Sequence, residues 1–186
     1  LMEPLELRAL DFGPLPAKDW AVVGLGEHPD GQRRAVASNA GLVYLEVHQT
    51  YLDLLEHLSR KVQAMEQEVR YEEYHTAGAE LVVVAYGYCS RVAQEAVDQA
   101  RREGLPVGLL RPITLWPFPY QVVESLASRG AQFLVVEDSL GQMVEDVRLG
   151  SGGPVHFLGA LSRHMRTASG MILPDAVSSK IRDILG

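Results

Sequence analysis

Apolar positions are unevenly distributed along this chain, and the densest run is Glu80–Gly87, ELVVVAYG. Leu81 to Ala85 show no alternation of apolar and polar residues. That pattern predicts a strand covered on both faces, as in a parallel sheet held between two helix layers. Gly87 is expected to end the strand, and Ser90–Arg102 reads as a helix that buries Val92, Ala93, Ala96, Val97 and Ala100. Glu103-Gly104 then closes it with a glycine-type cap. A second strand is expected over Val107–Leu110, so strand, crossover helix and strand make one βαβ unit. The rhythm continues with a helix over Tyr120–Ser128, a strand over Gln132–Glu137, a helix over Gly141–Leu149, a glycine loop at Gly150–Pro154 and a strand over Val155–Leu158. Pro174 opens a last helix with Val177, Ile181, Ile184 and Leu185 on one face.

The pattern changes upstream. In Glu46–Glu68, Tyr51, Leu55, Leu58, Val62 and Met65 recur at four-three spacing, which predicts one long helix with a single apolar stripe. That stripe is read as packing against its own domain or a neighbouring subunit. Val69–His75 suits a short edge strand. Residues 1–41 carry scattered Pro and Gly and read as an extended arm. Gly24-Leu25-Gly26 lacks the third glycine of a dinucleotide fingerprint, because Pro29 stands in its place, and reads as a plain loop. The expected organisation is therefore an arm or linker over 1–45, a long helix and edge strand over 46–75, and an α/β domain over 76–186. The fold class is α/β: a three-layer α/β/α, Rossmann-like, mostly parallel sheet, preceded by the arm and the long helix.

Composition narrows the function classes. An apolar share of 47% in 186 residues supports a packed core. The net charge of -7, without a clustered basic face, argues against a nucleic-acid partner. The single cysteine, Cys89, excludes an internal disulfide framework or a cysteine-ligated cluster, which fits a reducing cytoplasmic setting. Apolar runs are too short to span a membrane, and the start does not resemble a signal peptide. Opening on Leu-Met rather than Met suits a piece of a longer chain.

Open α/β sheets bind ligands beyond the carboxyl ends of their strands. The residues expected there are Tyr88, Cys89, Ser90, Arg111, Thr114, Trp116, Glu137, Asp138 and Ser139, with Gly141, Gln142, Glu145 and Asp146 on the following helix. Cys89 at a helix start would have its thiolate favoured by the dipole, but no histidine partner can be placed, so a packing role is preferred. Glu137 and Asp138 point in diverging directions as sequence neighbours, so a helix cap or partner contact is preferred to a shared proton. Arg111 could clamp a carboxylate or phosphate, or hold Glu137 across the strand ends; the second is favoured. The six histidines show no metal-ligand spacing.

The strings AYGYCSRVAQEAVDQAR, GLPVGLLRPITLWPFP and FLVVEDSLGQMVEDVRLG resemble the α subunits of 2-oxoacid:ferredoxin oxidoreductases, in their transketolase C-terminal-like domain. The marks are Tyr86-Gly87, Arg111-Pro112 and Glu137 with Gly141; Asp11-Phe12-Gly13-Pro14 and Glu27–Gly31 resemble the connecting region upstream. LGQMVEDVRL is closer to the branched-chain (2-oxoisovalerate) type, although Gly159–His164 departs from the glycine-rich segment usual there. The resemblance implies a parent enzyme that oxidatively decarboxylates a 2-oxoacid to an acyl-coenzyme A and reduces ferredoxin. It also implies thiamine pyrophosphate and magnesium on the β subunit, iron–sulfur clusters elsewhere, and partners of β, γ and δ type. The catalytic glutamate would lie in a pyrimidine-binding domain upstream of this stretch, so no catalytic, cofactor or metal residue is expected here. Arg111, Thr114, Trp116, Glu137, Asp138, Gly141, Gln142, Glu145 and Asp146 become candidate interface residues, and a homodimer is admissible. The rival readings are a regulatory module that binds a small anion or nucleotide, and a fragment of a 2-oxoacid dehydrogenase or transketolase-like enzyme.

Overall fold

The computed structural model describes residues 48–162 and 171–186. The arm, the Gly24–Gly26 loop and Arg163-His164 lie outside the described residues.

The chain divides into two compact units, with the boundary between Ala64 and Met65. The described part of the first unit in sequence is helix α1, His48–Met65, which closes in a 3-10 turn at Glu66–Glu68. The unit that begins at Met65 holds β1 (Tyr71–Tyr74), β2 (Leu81–Ala85), α2 (Gly87–Arg102), β3 (Val107–Pro112), α3 (Tyr120–Ser128), β4 (Gln132–Glu137), α4 (Met143–Ser151), β5 (His156–Gly159) and α5 (Pro174–Leu185).

The five strands form one sheet in the order β1-β3-β2-β4-β5. β2 pairs in parallel with β3 and β4, and β4 with β5; only β1 runs antiparallel, along β3. The unbroken apolar run of β2 follows from burial on both sides. Leu81, Val83 and Ala85 join a core with α2 and α5, whereas Val82 and Val84 join a second core with α3 and α4. All five β2 side chains are fully buried, as a central strand between two helix layers requires. The expected three-layer architecture is what the structure shows.

Two backbone features explain the local geometry. Gly108, on β3, lies against the end of β1, where an added Cβ would stand 2.7 Å from the His75 carbonyl oxygen; no side chain fits there. Gly141 has φ +108° and turns the backbone ahead of helix α4, which starts at Met143, two residues later than the sequence suggested. α2 starts at Gly87, three residues earlier than expected, whereas α3 and β4 keep their expected bounds.

Candidate functional site

The chain leaves β2 toward β3 on one side and returns to β4 on the other, so the carboxyl ends of β2 and β4 flank a topological switch point, where such folds place ligands. Tyr86, Gly87 and Tyr88 follow β2; Glu137 ends β4, and Asp138, Ser139, Leu140 and Gly141 follow it.

Glu137 is fully buried. The Met143 N–H donates to its Oε2 and the Val144 N–H to its Oε1, each at 3.1 Å. These are orphan amides at the start of α4, and the carboxylate also meets the positive end of the helix dipole. A bound anion would use the same amides. Of the two roles the sequence left for a charged strand-end residue, a helix cap or a partner contact, Glu137 makes the cap, from six and seven residues upstream rather than from the residue next to the helix.

Asp138 is exposed and points elsewhere: Tyr88 donates its hydroxyl to Asp138 Oδ2 at 2.7 Å and bridges the two strand ends. Burial, followed by this hydrogen bond, drives the Tyr88 hydroxyl well above its ordinary range. Burial, then the Glu137 charge, raises Tyr86 as well. Cys89, in the first turn of α2, is only 3% exposed. Desolvation pushes its thiol up, the opposite of the lowering expected from its place at a helix start, and hydrogen bonds from the Asp138 backbone and the Tyr88 side chain offset this only in part. Ser90 is buried too, and donates to the Gly87 carbonyl oxygen at 2.8 Å.

Arg111 does not meet Glu137. Its Nη1 lies 3.0 Å from Glu72 Oε2, its direct cross-strand neighbour on β1, and both side chains are well exposed. The physical reason is the strand order: β2 separates β3 from β4, and the antiparallel β1 places Glu72 opposite Arg111. Sequence reasoning missed Glu72, whose only signal was its place in the short edge strand expected over Val69–His75. Thr114 is also tied to this edge, its Oγ1 accepting the Arg70 N–H at 2.9 Å while Ile113 and Thr114 donate to the Arg70 carbonyl oxygen. The loop so anchored leaves Trp116 67% exposed. Gln142, just before α4, and Glu145 on it are exposed, whereas Asp146 accepts the Tyr120 hydroxyl of α3.

A groove of about 440 Å³ lies elsewhere, lined by Tyr120, Glu124 and the Leu149–Gly152 turn. Among the described residues, no three His, Cys, Asp or Glu side chains gather as a metal site, and no helix is long and apolar enough to cross a membrane.

Residues 79–167 match the family model for the pyruvate:ferredoxin oxidoreductase core domain II. That stretch is similar to core domain II of that family. The chain's relatives include the ketoisovalerate oxidoreductase subunit VorB of Methanothermobacter marburgensis, 43% identical over 157 residues, which cover 82% of this chain and 41% of VorB. The 2-oxoglutarate synthase subunit KorA of Methanothermobacter thermautotrophicus is 40% identical over 82 residues, 44% of this chain and 22% of KorA. Among solved structures, the chain is similar to the 2-oxoglutarate:ferredoxin oxidoreductase from Magnetococcus marinus, with a TM-score of 0.61 at 16% identity over 86% of this chain and 26% of that one. It is also similar to a split-gene transketolase, with a TM-score of 0.53 at 17% identity over 62% of this chain and 41% of that one. At these identities the structural likeness establishes the fold, and it agrees with the transketolase-like expectation. The chain spans 41% of the length of the VorB relatives it matches.

Proposed function

We propose that this chain is an assembly lobe of the α-type subunit of a 2-oxoacid:ferredoxin oxidoreductase acting on ketoisovalerate. The observation that carries the reading is the 43% identity to VorB, sustained over 157 residues. In this reading the parent complex cleaves a branched 2-oxoacid, passes the acyl group to coenzyme A and the electrons to ferredoxin, and works in the cytoplasm. Residues 1–45 link the lobe to an upstream pyrimidine-binding domain.

The lobe's own residues do not suit the cofactors of such a complex. An iron–sulfur cluster needs several thiolates, and the one cysteine is buried with a raised pKa. A diphosphate would compete with Glu137 for the α4 amides. Thiamine pyrophosphate, magnesium and the clusters therefore belong on other parts of the complex. Exposed Trp116, Gln142 and Glu145 are left as contacts to neighbouring subunits, with Trp116 on its anchored loop as the principal anchor, since buried aromatics dominate such interfaces. The same filling of the α4 terminus weighs against the anion- or nucleotide-binding alternative.

The test is to produce the full-length subunit with its partner subunits and follow coenzyme A-dependent dye reduction with branched, dicarboxylic and short 2-oxoacids. Ketoisovalerate is expected to give the highest kcat/KM. Preference for 2-oxoglutarate would overturn the substrate assignment, and no turnover with any 2-oxoacid would overturn the enzyme class. Calorimetry on the 186-residue chain with thiamine pyrophosphate, coenzyme A and nucleotides is expected to show no heat of binding; tight binding of any of them would overturn the assembly role.

A further inference from the structure

We propose that the groove between α3 and the end of α4 is a socket for one arginine side chain of a neighbouring subunit. Tyr120 and Glu124 line it from α3, and Leu149, Gly150, Ser151 and Gly152 from α4 and its cap, around a volume of about 440 Å³. All six belong to the sheet unit and to the described residues. Gly150 lets the two helices come close. A Cβ there would stand 3.1 Å from Val123 Cγ1 and 3.4 Å from Tyr120 Cδ1, so the Tyr120 ring lies against the last turn of α4.

The groove is rich in acceptors and poor in cations. The Gly152 N–H closes α4 on the Arg148 carbonyl oxygen, and the carbonyl oxygens of Leu149, Gly150 and Ser151 beyond it accept no hydrogen bond among the described residues. They form the negative end of the helix dipole. The Glu124 carboxylate has no ion pair or hydrogen bond among the described residues, and Asp146 adds a second carboxylate against the Tyr120 hydroxyl. The basic side chains of these two helices and their caps are engaged elsewhere: Arg148 Nη1 lies 2.5 Å from Glu145 Oε1, and Arg129 Nε donates to the Ser125 carbonyl oxygen at 3.0 Å. Orphan carbonyls, a carboxylate and an aromatic ring together suit a cation with several donors. A guanidinium carries five N–H groups in one plane and is attracted to aromatic rings, whereas an ammonium is a compact, strongly hydrated charge. Leu149, 74% exposed, gives apolar cover for the stem of such a side chain. That the arginine comes from a neighbouring subunit rests on the assembly reading above.

Titrating the 186-residue chain with N-acetyl-arginine amide at low salt, followed by NMR, tests the groove by itself. Saturable shifts are expected at the Gly150, Ser151 and Gly152 amides and the Tyr120 ring. Glu124→Gln, at an exposed position, is expected to weaken that binding about two- to fivefold, and N-acetyl-lysine amide to bind less well than the arginine probe. In the full-length subunit with its partner subunits, Glu124→Arg is expected to raise the dissociation constant about tenfold or more by sedimentation, with the thermal unfolding of the subunit unchanged. No shift at the groove, equal binding to Glu124→Gln, equal binding of the lysine probe, or a Glu124→Arg subunit that associates like wild type would each overturn the proposal. Wild-type subunits that do not associate at all would overturn the assembly reading and the partner with it, while the titration still decides the chemistry of the groove.

Discussion

Replacing Glu137 by Gln changes almost nothing in shape and removes the charge that closes the start of α4. The two acceptor contacts, from Met143 N–H and Val144 N–H, are both 3.1 Å. A hydrogen bond to a charged group contributes roughly 1.5–3 kcal/mol and a neutral one about 1 kcal/mol. Glutamine keeps one acceptor oxygen and turns its amide N–H₂ toward the other backbone donor. One charge-assisted bond is lost outright and the other becomes neutral, so the change should destabilise by about 2–5 kcal/mol. Working against this is the desolvation of a carboxylate with no exposed surface, which the neutral amide relieves. The capping term is expected to win, because both carboxylate oxygens are already solvated by helix amides. Denaturant unfolding of wild type and Glu137→Gln gives the difference from the two midpoints at a common m-value, and amide exchange at Met143 and Val144 should quicken in the variant. A variant within about 0.5 kcal/mol of wild type, or more stable, would show that the buried charge is a net burden and that the cap does not hold α4.

Gly108→Ala would set a methyl group 2.7 Å from the His75 carbonyl oxygen, so it should destabilise by about 1–3 kcal/mol in a thermal or denaturant melt, with β1 loosening first. Tyr120 has its pKa raised to about 12 by the hydrogen bond to Asp146, then by burial. Its folded value lies above the ordinary value of 10.0, so its contribution is whole below pH 10 and is lost as pH rises from 10 to 12. Tyr120→Phe should flatten part of that alkaline loss of stability, with Tyr86 and Tyr88 supplying the remainder. Arg111→Ala removes an exposed pair with Glu72 and should cost less than about 1 kcal/mol of folding stability by denaturant unfolding, shrinking further with added salt. On the proposed assembly role, Trp116→Ala in the full subunit with its partner subunits should raise their dissociation constant by tenfold or more at about 1.4 kcal/mol per decade, measured by sedimentation.

The sequence by itself determined the elements and their layering. Five consecutive apolar residues at Leu81–Ala85 can be buried only if both faces of the strand are covered, and the alternation of strands with 3.6-period helices then requires a largely parallel, helix-sandwiched sheet. The ends of α3 and β4 were legible because proline and glycine punctuate them locally. The tertiary structure alone decided which charges meet. Glu72 stands opposite Arg111 because β1 joins the sheet antiparallel at its edge, a pairing between residues far apart in the chain that no local pattern encodes. Glu137 reaches the α4 amides because Gly141 turns the backbone before the helix begins. Cys89 has a raised pKa because packing around α2 removes its water, which its place in the sequence did not reveal. Periodicity is a property of neighbouring residues, whereas register and desolvation depend on the distant segments that pack around each group.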